Sequence, residues 1–259
     1  MKINVVYNSR IFNYQDILSK IERILIQQKV GFKSFELDNM DNYGDFTIVI
    51  GGDGTLLKAS KFYSETETPV LGINIGRLGF LSQSEDVINV INSLLDGNYS
   101  IENRMMLSSI EKLALNDFVI KGCDPSRTSK FYLEINGKEV CDYVADGLIV
   151  STPTGSTAYG LSAGGPVISP SVEAITIVPI CPHTLNARPL VIPTDEIITV
   201  RTGDKLLSIS IDGFENENCV DKITIKKALN PAILAFIKGN SFYEVLRNKL
   251  HWGLSPKGY

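Results

Sequence analysis

Histidine is nearly absent from this chain: His183 and His251 are the only two in 259 residues. A metal site built on three histidines is therefore excluded. Cysteine is scarce too. Cys123, Cys141, Cys181 and Cys219 include no CxxC pair, so neither a zinc knuckle nor a thioredoxin-type motif is present. A disulfide framework is not expected in a chain this long, and reduced cytoplasmic thiols are the simpler reading. No apolar run approaches the roughly 18 residues of a membrane span. Asn4 and Asn8 interrupt the start too early for a signal-peptide core. There is no basic excess: 25 Lys and Arg face 29 Asp and Glu, a net charge of −4, which argues against nucleic acid as a partner. These absences describe a cytoplasmic protein that binds neither membrane nor nucleic acid.

What is present suits a folded chain of about 1.7 domains at roughly 150 residues each. Hydrophobic residues make up 44% and charged ones 21%. Up to Asn98, β-prone runs alternate with helical stripes. Ile3 to Tyr7, Phe32 to Leu37, Phe46 to Ile50 and Pro69 to Ile75 read as strands. Ile17, Leu18, Ile21, Ile24 and Leu25 form one apolar helical face, and Val87, Ile88, Ile91, Leu94 and Leu95 another, closed by Gly97. Leu56 to Tyr63 also fits a helix. Beyond Asn98 the pattern becomes strands and turns, with Asn136-Gly137 as a hairpin signal and one helical candidate after Thr157. Glu196 to Val200, Leu206 to Ile211, Lys222 to Lys226 and Ile233 to Ile237 continue the strand series. The tail returns to helix, with Ser241 as its cap. The expected fold is α/β plus all-β: a doubly wound α/β domain of residues 1–98 with 239–259, and a β-sandwich-like domain of residues 99–238.

Two segments carry chemistry. A buried strand runs into Gly51-Gly52-Asp53-Gly54-Thr55 and a helix follows. Glycines let a ligand approach the backbone, and N–H groups at a helix start suit phosphate. No Gly-Lys-Ser/Thr follows, so this is not a P-loop. A carboxylate repels phosphate, so Asp53 reads as a proton acceptor, as a metal ligand, or as a cap of the next helix. Gly76-Arg77-Leu78-Gly79-Phe80 ends the next strand, and carboxyl ends of parallel strands are where ligands sit. The second segment is Asp146-Gly-Leu-Ile-Val-Ser-Thr-Pro-Thr-Gly-Ser-Thr-Ala-Tyr-Gly160. It offers hydroxyls to a ribose or phosphate and the Tyr159 ring to a base. A Ser/Thr-rich surface turn is the plain alternative.

In this order Gly51–Thr55, Gly76–Phe80 and Asp146–Tyr159, with Ile180-Cys-Pro-His183-Thr-Leu-Asn-Ala-Arg188 and Ile211-Asp212-Gly213, resemble bacterial NAD kinases. The GGDGT loop alone also occurs in lipid kinases and phosphofructokinases; the long Ser/Thr loop is the more specific feature. The resemblance implies transfer of the γ-phosphate of ATP, or phosphate from polyphosphate, to the 2′-hydroxyl of the adenosine ribose of NAD, giving NADP. It implies Mg²⁺ as cofactor, held by no side chain with certainty except for Asp53 as one option. Asp53 would activate the hydroxyl or hold the metal, with Gly54 against the substrate. Gly51, Gly52 and Thr55 would serve the phosphates; Arg77, at a variable family position, would offset phosphate charge. Asn116 and Asp117 match a family Asn-Glu pair on the adenosine ribose and base; the aspartate here is one methylene shorter. Thr154, Thr157, Ala158 and Tyr159 would surround adenine and ribose, and Asp146 the nicotinamide end. Ala145, His183, Arg188 and Asp212 are further candidates. For His183 a structural role, and for Asp212 a turn role, stand beside the functional one; His251 and Trp252 read as packing residues. The partners implied are NAD, ATP and further copies of the chain in a homodimer or homotetramer. Two rivals remain at this point: a lipid kinase of the wider superfamily, and an NAD(H)-sensing module without turnover.

Overall fold

The structure is a computed structural model and describes residues 1–74, 79–82, 86–109, 111–124, 127–184, 186–203, 206–238 and 241–253. The first elements are β1 (Lys2–Tyr7), α1 (Tyr14–Gln27), β2 (Gly31–Glu36), β3 (Phe46–Ile50), α2 (Asp53–Ser64), β4 (Val70–Ile73), α3 (Val87–Leu95) and β5 (Tyr99–Arg104). Next come β6 (Leu107–Ser109), β7 (Lys112–Ala114), β8 (Asp117–Gly122), β9 (Ser129–Ile135), β10 (Lys138–Ala145), β11 (Gly147–Ser151) and the single-turn α4 (Tyr159–Ser162). The chain continues through β12 (Ile175–Ile180), β13 (Leu190–Ile192), β14 (Ile198–Thr202), β15 (Leu207–Ile211), β16 (Glu215–Val220), β17 (Lys222–Lys227), β18 (Ala232–Ile237) and α5 (Phe242–Leu250). The chain divides into two compact units, residues 1–103 with 232–259, and residues 104–231.

In the first unit the sheet order is β2-β1-β3-β4-β18-β5. The β1–β2, β1–β3, β3–β4 and β4–β18 pairs are parallel. Alternation along the strands sends residues to two helical layers. Ile3, Val5, Ile48, Ile50, Leu71 and Ile73 form one core with the buried faces of α1 and α3. On the other face, Gly72 lies against the Leu56 side chain of α2. This is the doubly wound arrangement. Its order reverses between β1 and β3, where crevices open at strand carboxyl ends. The Asn8 amide after β1 donates to Thr55 Oγ1 at the start of α2, 3.4 Å away, and so ties the two strand ends together.

The second unit is a sandwich of two six-stranded sheets, β10-β9-β14-β17-β6-β7 and β13-β12-β11-β8-β15-β16. Inward residues of both, among them Phe118, Ile120, Phe131, Leu133, Leu148, Val150, Ile198, Ile209 and Ile223, form one buried core. The expected hairpin joins β9 to β10, and both turn residues are left-handed, Asn136 at φ 51° and Gly137 at φ 74°. That matches the right-handed twist of the strands.

Two expectations need correction. The boundaries at 98 and 238 are displaced, because β5 and β18 belong to the first sheet. Leu234 pairs in parallel with Val70, and Ala235 enters the first core. An apolar run records burial and not its partner strand, so β18 read as one more strand of the sandwich. The second correction is Trp252, which is 55% exposed, beside an exposed His251 that ends α5 in the left-handed region at φ 53°. Neither is a packing residue. Among the described residues no helix is long and apolar enough to cross a membrane.

Candidate active site

In the first unit the site grows from the β3–α2 turn. Gly52, not Asp53, occupies the N-cap of α2. Asp53 is the first helical residue, where a negative charge suits the helix dipole. Its side chain reaches the segment beyond β4. Oδ2 accepts from Phe80 N–H at 2.8 Å, and Oδ1 from Leu81 N–H at 3.1 Å, Ser82 N–H at 3.2 Å and Ser82 Oγ at 3.1 Å. Lys249 Nζ of α5 stands 3.6 Å from Oδ2. Gly79 is explained by the same contact: a Cβ there would lie 1.9 Å from Asp53 Oδ1. Gly79→Ala is therefore expected to push the carboxylate aside and lower kcat by about tenfold or more, as small displacements of reacting groups do. A kcat within twofold of the parent chain would contradict this role for Gly79.

The second unit carries a cleft of its own, on the outer face of the β8–β11 sheet. The cleft, of about 510 Å³, is lined by Asn116, Asp117, Val119 and Lys121 of one strand and its approach, by Ser208, Ser210 and Asp212, and by Ala158 and Tyr159 of the Ser/Thr loop. Three contacts fix its upper end. Asp212, left-handed at φ 50° and 6% exposed, accepts from the N–H groups of Leu115, Asn116 and Asp117 at 3.1, 2.8 and 3.1 Å. The Asn116 carbonyl accepts from Thr152 N–H at 2.9 Å and Ser151 Oγ at 3.2 Å. Gly155 passes so close that a Cβ would lie 2.1 Å from the Asn116 oxygen. The turn that presents Asn116 is thus clamped from both sides.

Asp117 is the electrostatic anomaly. It is 4% exposed, and burial first, then the charge of Asp212, raises its pKa from 3.8 to about 7. Burial disfavours the ionised form of a carboxyl, and a neighbouring carboxylate adds to the effect.

The sequence matches the ATP-NAD kinase N-terminal domain over residues 17–99 and the ATP-NAD kinase C-terminal domain over residues 115–236. The chain belongs to the NAD kinase family. The NAD kinase of Geobacter sulfurreducens is 36% identical, over 92% of this chain and 89% of the relative. That of Pseudomonas putida is 41% identical, over 81% and 76%. A solved NAD kinase from Archaeoglobus fulgidus, in complex with ATP, aligns with a TM-score of 0.80 and 28% identity, over 97% of this chain and 99% of that one.

Against the NAD kinase expectations, the cleft brings together Asn116, Asp117, Ala158, Tyr159 and Asp212. Asp212 holds the turn at residues 115–117 and also lines the cleft. Thr157 lies in the short 3₁₀ turn before α4, and its hydroxyl donates to the Thr154 carbonyl at 3.3 Å. Thr154 is buried and its hydroxyl accepts from Arg104 Nη1 at 3.3 Å, so it braces the loop. Ala145 is a correction: it is fully buried in the sandwich core, because the end of β10 turns its methyl inward. Asp146, exposed, lies at the opposite end of β11 from the Ser/Thr loop and does not line the cleft. Arg188 lines a separate hollow with Cys141, Asp142 and Tyr143, and His183 is exposed with its N–H on the Val144 carbonyl at 2.7 Å. The structure does not bring these two to the cleft. Arg77, with Gly76 and Leu78, lies outside the described residues. Gly54 and Thr55 sit in the first turn of α2, with Thr55 buried against Gly51.

Lys121, Ser208 and Ser210 were missed. Their signal was alternation: in Leu207-Ser-Ile-Ser-Ile-Asp212 every second residue is polar, and those residues share one sheet face. Lys121 also brings a cation to the lining of the cleft.

Proposed function

We propose that this chain phosphorylates the 2′-hydroxyl of the adenosine ribose of NAD with ATP, giving NADP and ADP. The observation that carries the reading is the cleft that places the Asn116–Asp117 pair beside the loop ending in Tyr159, in a chain of the NAD kinase family. In this reading Asn116 and Asp117 hold ribose and base, and Tyr159, 41% exposed, offers its ring to the adenine. The hydroxyl oxygen forms a bond to the γ-phosphorus, and the bond from γ-phosphorus to the bridging oxygen breaks. ADP leaves with that electron pair, and the hydroxyl proton passes to Asp53. Positioning and charge neutralisation do most of the work in such a transfer. The N–H groups at the start of α2 supply part of that neutralisation. An assay of the purified protein with NAD and ATP, followed by NADP appearance, tests the reading. Phosphorylation of a lipid, or binding of NAD without turnover, would favour one of the two rivals.

NAD kinases generally use a divalent cation, and we assign Mg²⁺ here. Among the described residues no three His, Cys, Asp or Glu side chains cluster as metal ligands. Asp53, on the glycine turn, is the side chain that would help to hold the cation beside the donor's phosphates. When bound it neutralises charge on the phosphoryl group in transit. The exposed, free thiols of Cys123 and Cys181 suit a reducing compartment, which supports the cytoplasm.

We also propose a homo-oligomer whose neighbouring subunit brings Asp146 to the nicotinamide end. The position of Asp146 away from its own cleft supports this. Asn116→Ala and Asp146→Ala chains, each impaired alone, should then complement when co-assembled. For a dimer, random mixing leaves about a quarter of the sites intact. Activity of the mixture no higher than that of the separate variants would refute shared sites.

A further inference from the structure

The two oxygens of Asp53 are not equivalent. Oδ1 takes three donors, from Leu81, Ser82 and the Ser82 hydroxyl. Oδ2 takes one, from Phe80, and faces the Lys249 ammonium at 3.6 Å. A carboxylate offers about two lone-pair sites on each oxygen. Oδ1 is therefore saturated, and the capacity that remains is on Oδ2, beside Lys249. A hydroxyl that gives its proton to Asp53 must come to that oxygen.

Lys249 is set there by the local design of α5. Ser241 and Glu244 form a reciprocal capping box that fixes the helix start. Leu246, one turn before Lys249, is buried and holds the same helical face inward. The ammonium also lies over the Phe80 ring, 4.5 Å from its centroid. It thus contacts both the aspartate and the segment that grips it. Lys58, carried on α2 itself, pairs instead with Asp38. The Lys249 and Asp53 side chains are 34% and 29% exposed, so water does not fully screen the pair.

We infer that Lys249 is a positioning residue of the phosphoryl transfer: it keeps Oδ2 of Asp53 in place when the donor's phosphates arrive beside it. The inference rests on the function proposed above. A lone carboxylate next to a polyphosphate is driven away by like charge, and the adjacent cation offsets that push. The four amide and hydroxyl donors fix Asp53 to its turn, and the ammonium supplies the full positive charge that neutral donors lack.

The test is steady-state kinetics on the full chain with Lys249→Met, Lys249→Gln, Lys249→Arg, Asp53→Asn and the Asp53→Asn/Lys249→Met double variant, each checked for folding by circular dichroism. Lys249→Met should lower kcat by about 10- to 100-fold while KM for NAD stays within about twofold, the pattern of a lost transition-state contribution. Lys249→Arg should recover most of the loss. The double variant should be within about threefold of Asp53→Asn alone, because the two residues act as one unit. Lys249→Gln gives the same reading should the methionine variant fold poorly. A neutral variant within threefold of the parent, an arginine no better than methionine, or a further tenfold loss in the double variant would each overturn the inference. A parent chain that makes no NADP would overturn the proposed function itself, and the role of Lys249 with it; an active parent with an indifferent Lys249 overturns only the latter.

Discussion

Asp53→Asn is expected to lower kcat for NADP formation by at least about a hundredfold, close to 3 kcal/mol of transition-state stabilisation. The argument begins with what the amide keeps. Its single oxygen can still accept from Leu81, Ser82 and the Ser82 hydroxyl, as Oδ1 does now. Its nitrogen then faces Phe80 N–H and the Lys249 ammonium, donor against donor and against a cation. The variant therefore loses one charge-assisted hydrogen bond and gains a repulsion. That should cost about 1–3 kcal/mol of stability in the first unit without unfolding it. The chemical loss is separate. An amide cannot take the hydroxyl proton, so the transfer loses its general base. The cleft proposed to hold NAD is formed by other residues, so KM for NAD should change by less than about threefold. Turnover within tenfold of the parent chain would show that Asp53 is a structural staple and that the proton goes elsewhere. A large rise in KM with kcat preserved would mean that it binds the acceptor.

Comparing that staple with the sequence shows what could be read in advance and what could not. The periodicities of α1 and α3, the Asn136-Gly137 hairpin and the Ser241 cap are local, and local signals survive in sequence. So did the glycine turn at 51–54, because a strand that stops at a glycine cluster and resumes as helix has few other uses. The grip on Asp53 was not legible. Its donors come from residues 79–82 and its cation from residue 249, and only the folded chain brings these to one point. Gly79 read as part of a glycine turn at a strand end where ligands sit, whereas its absent side chain makes room for a carboxylate. At Thr154 and Ala145 motif position and burial point different ways. Motif position placed them at the ligand, yet the first is buried with its hydroxyl bonded to Arg104 and the second is core. A motif marks a neighbourhood, and burial decides which of its residues face the ligand.

Asp117 carries the second large expectation, a pH dependence with its midpoint near 7. Its carboxyl is raised from 3.8 to about 7, first by burial and then by the Asp212 charge. Between roughly pH 4 and pH 7 the folded chain holds a proton that the unfolded chain releases. Stability must therefore fall as pH rises through this window, and level off above it. The difference between the two values corresponds to as much as about 4 kcal/mol. Asp117→Asn keeps the shape and removes the charge. It should abolish that slope and leave the variant more stable than the parent at pH 8. KM for NAD should follow the same titration in the parent, since Asp117 lines the cleft, and should be flat across it in the variant. Asp212→Asn separates the two causes: the midpoint should drop when the neighbouring charge goes, yet remain above 3.8, because burial is the larger contribution. Urea unfolding measured from pH 5 to pH 8 on the three chains decides the matter. A parent chain whose stability is flat or rises over this range would mean that Asp117 is ionised throughout. It would then meet the ribose hydroxyls only as an acceptor, in place of the protonated carboxyl that can both donate and accept.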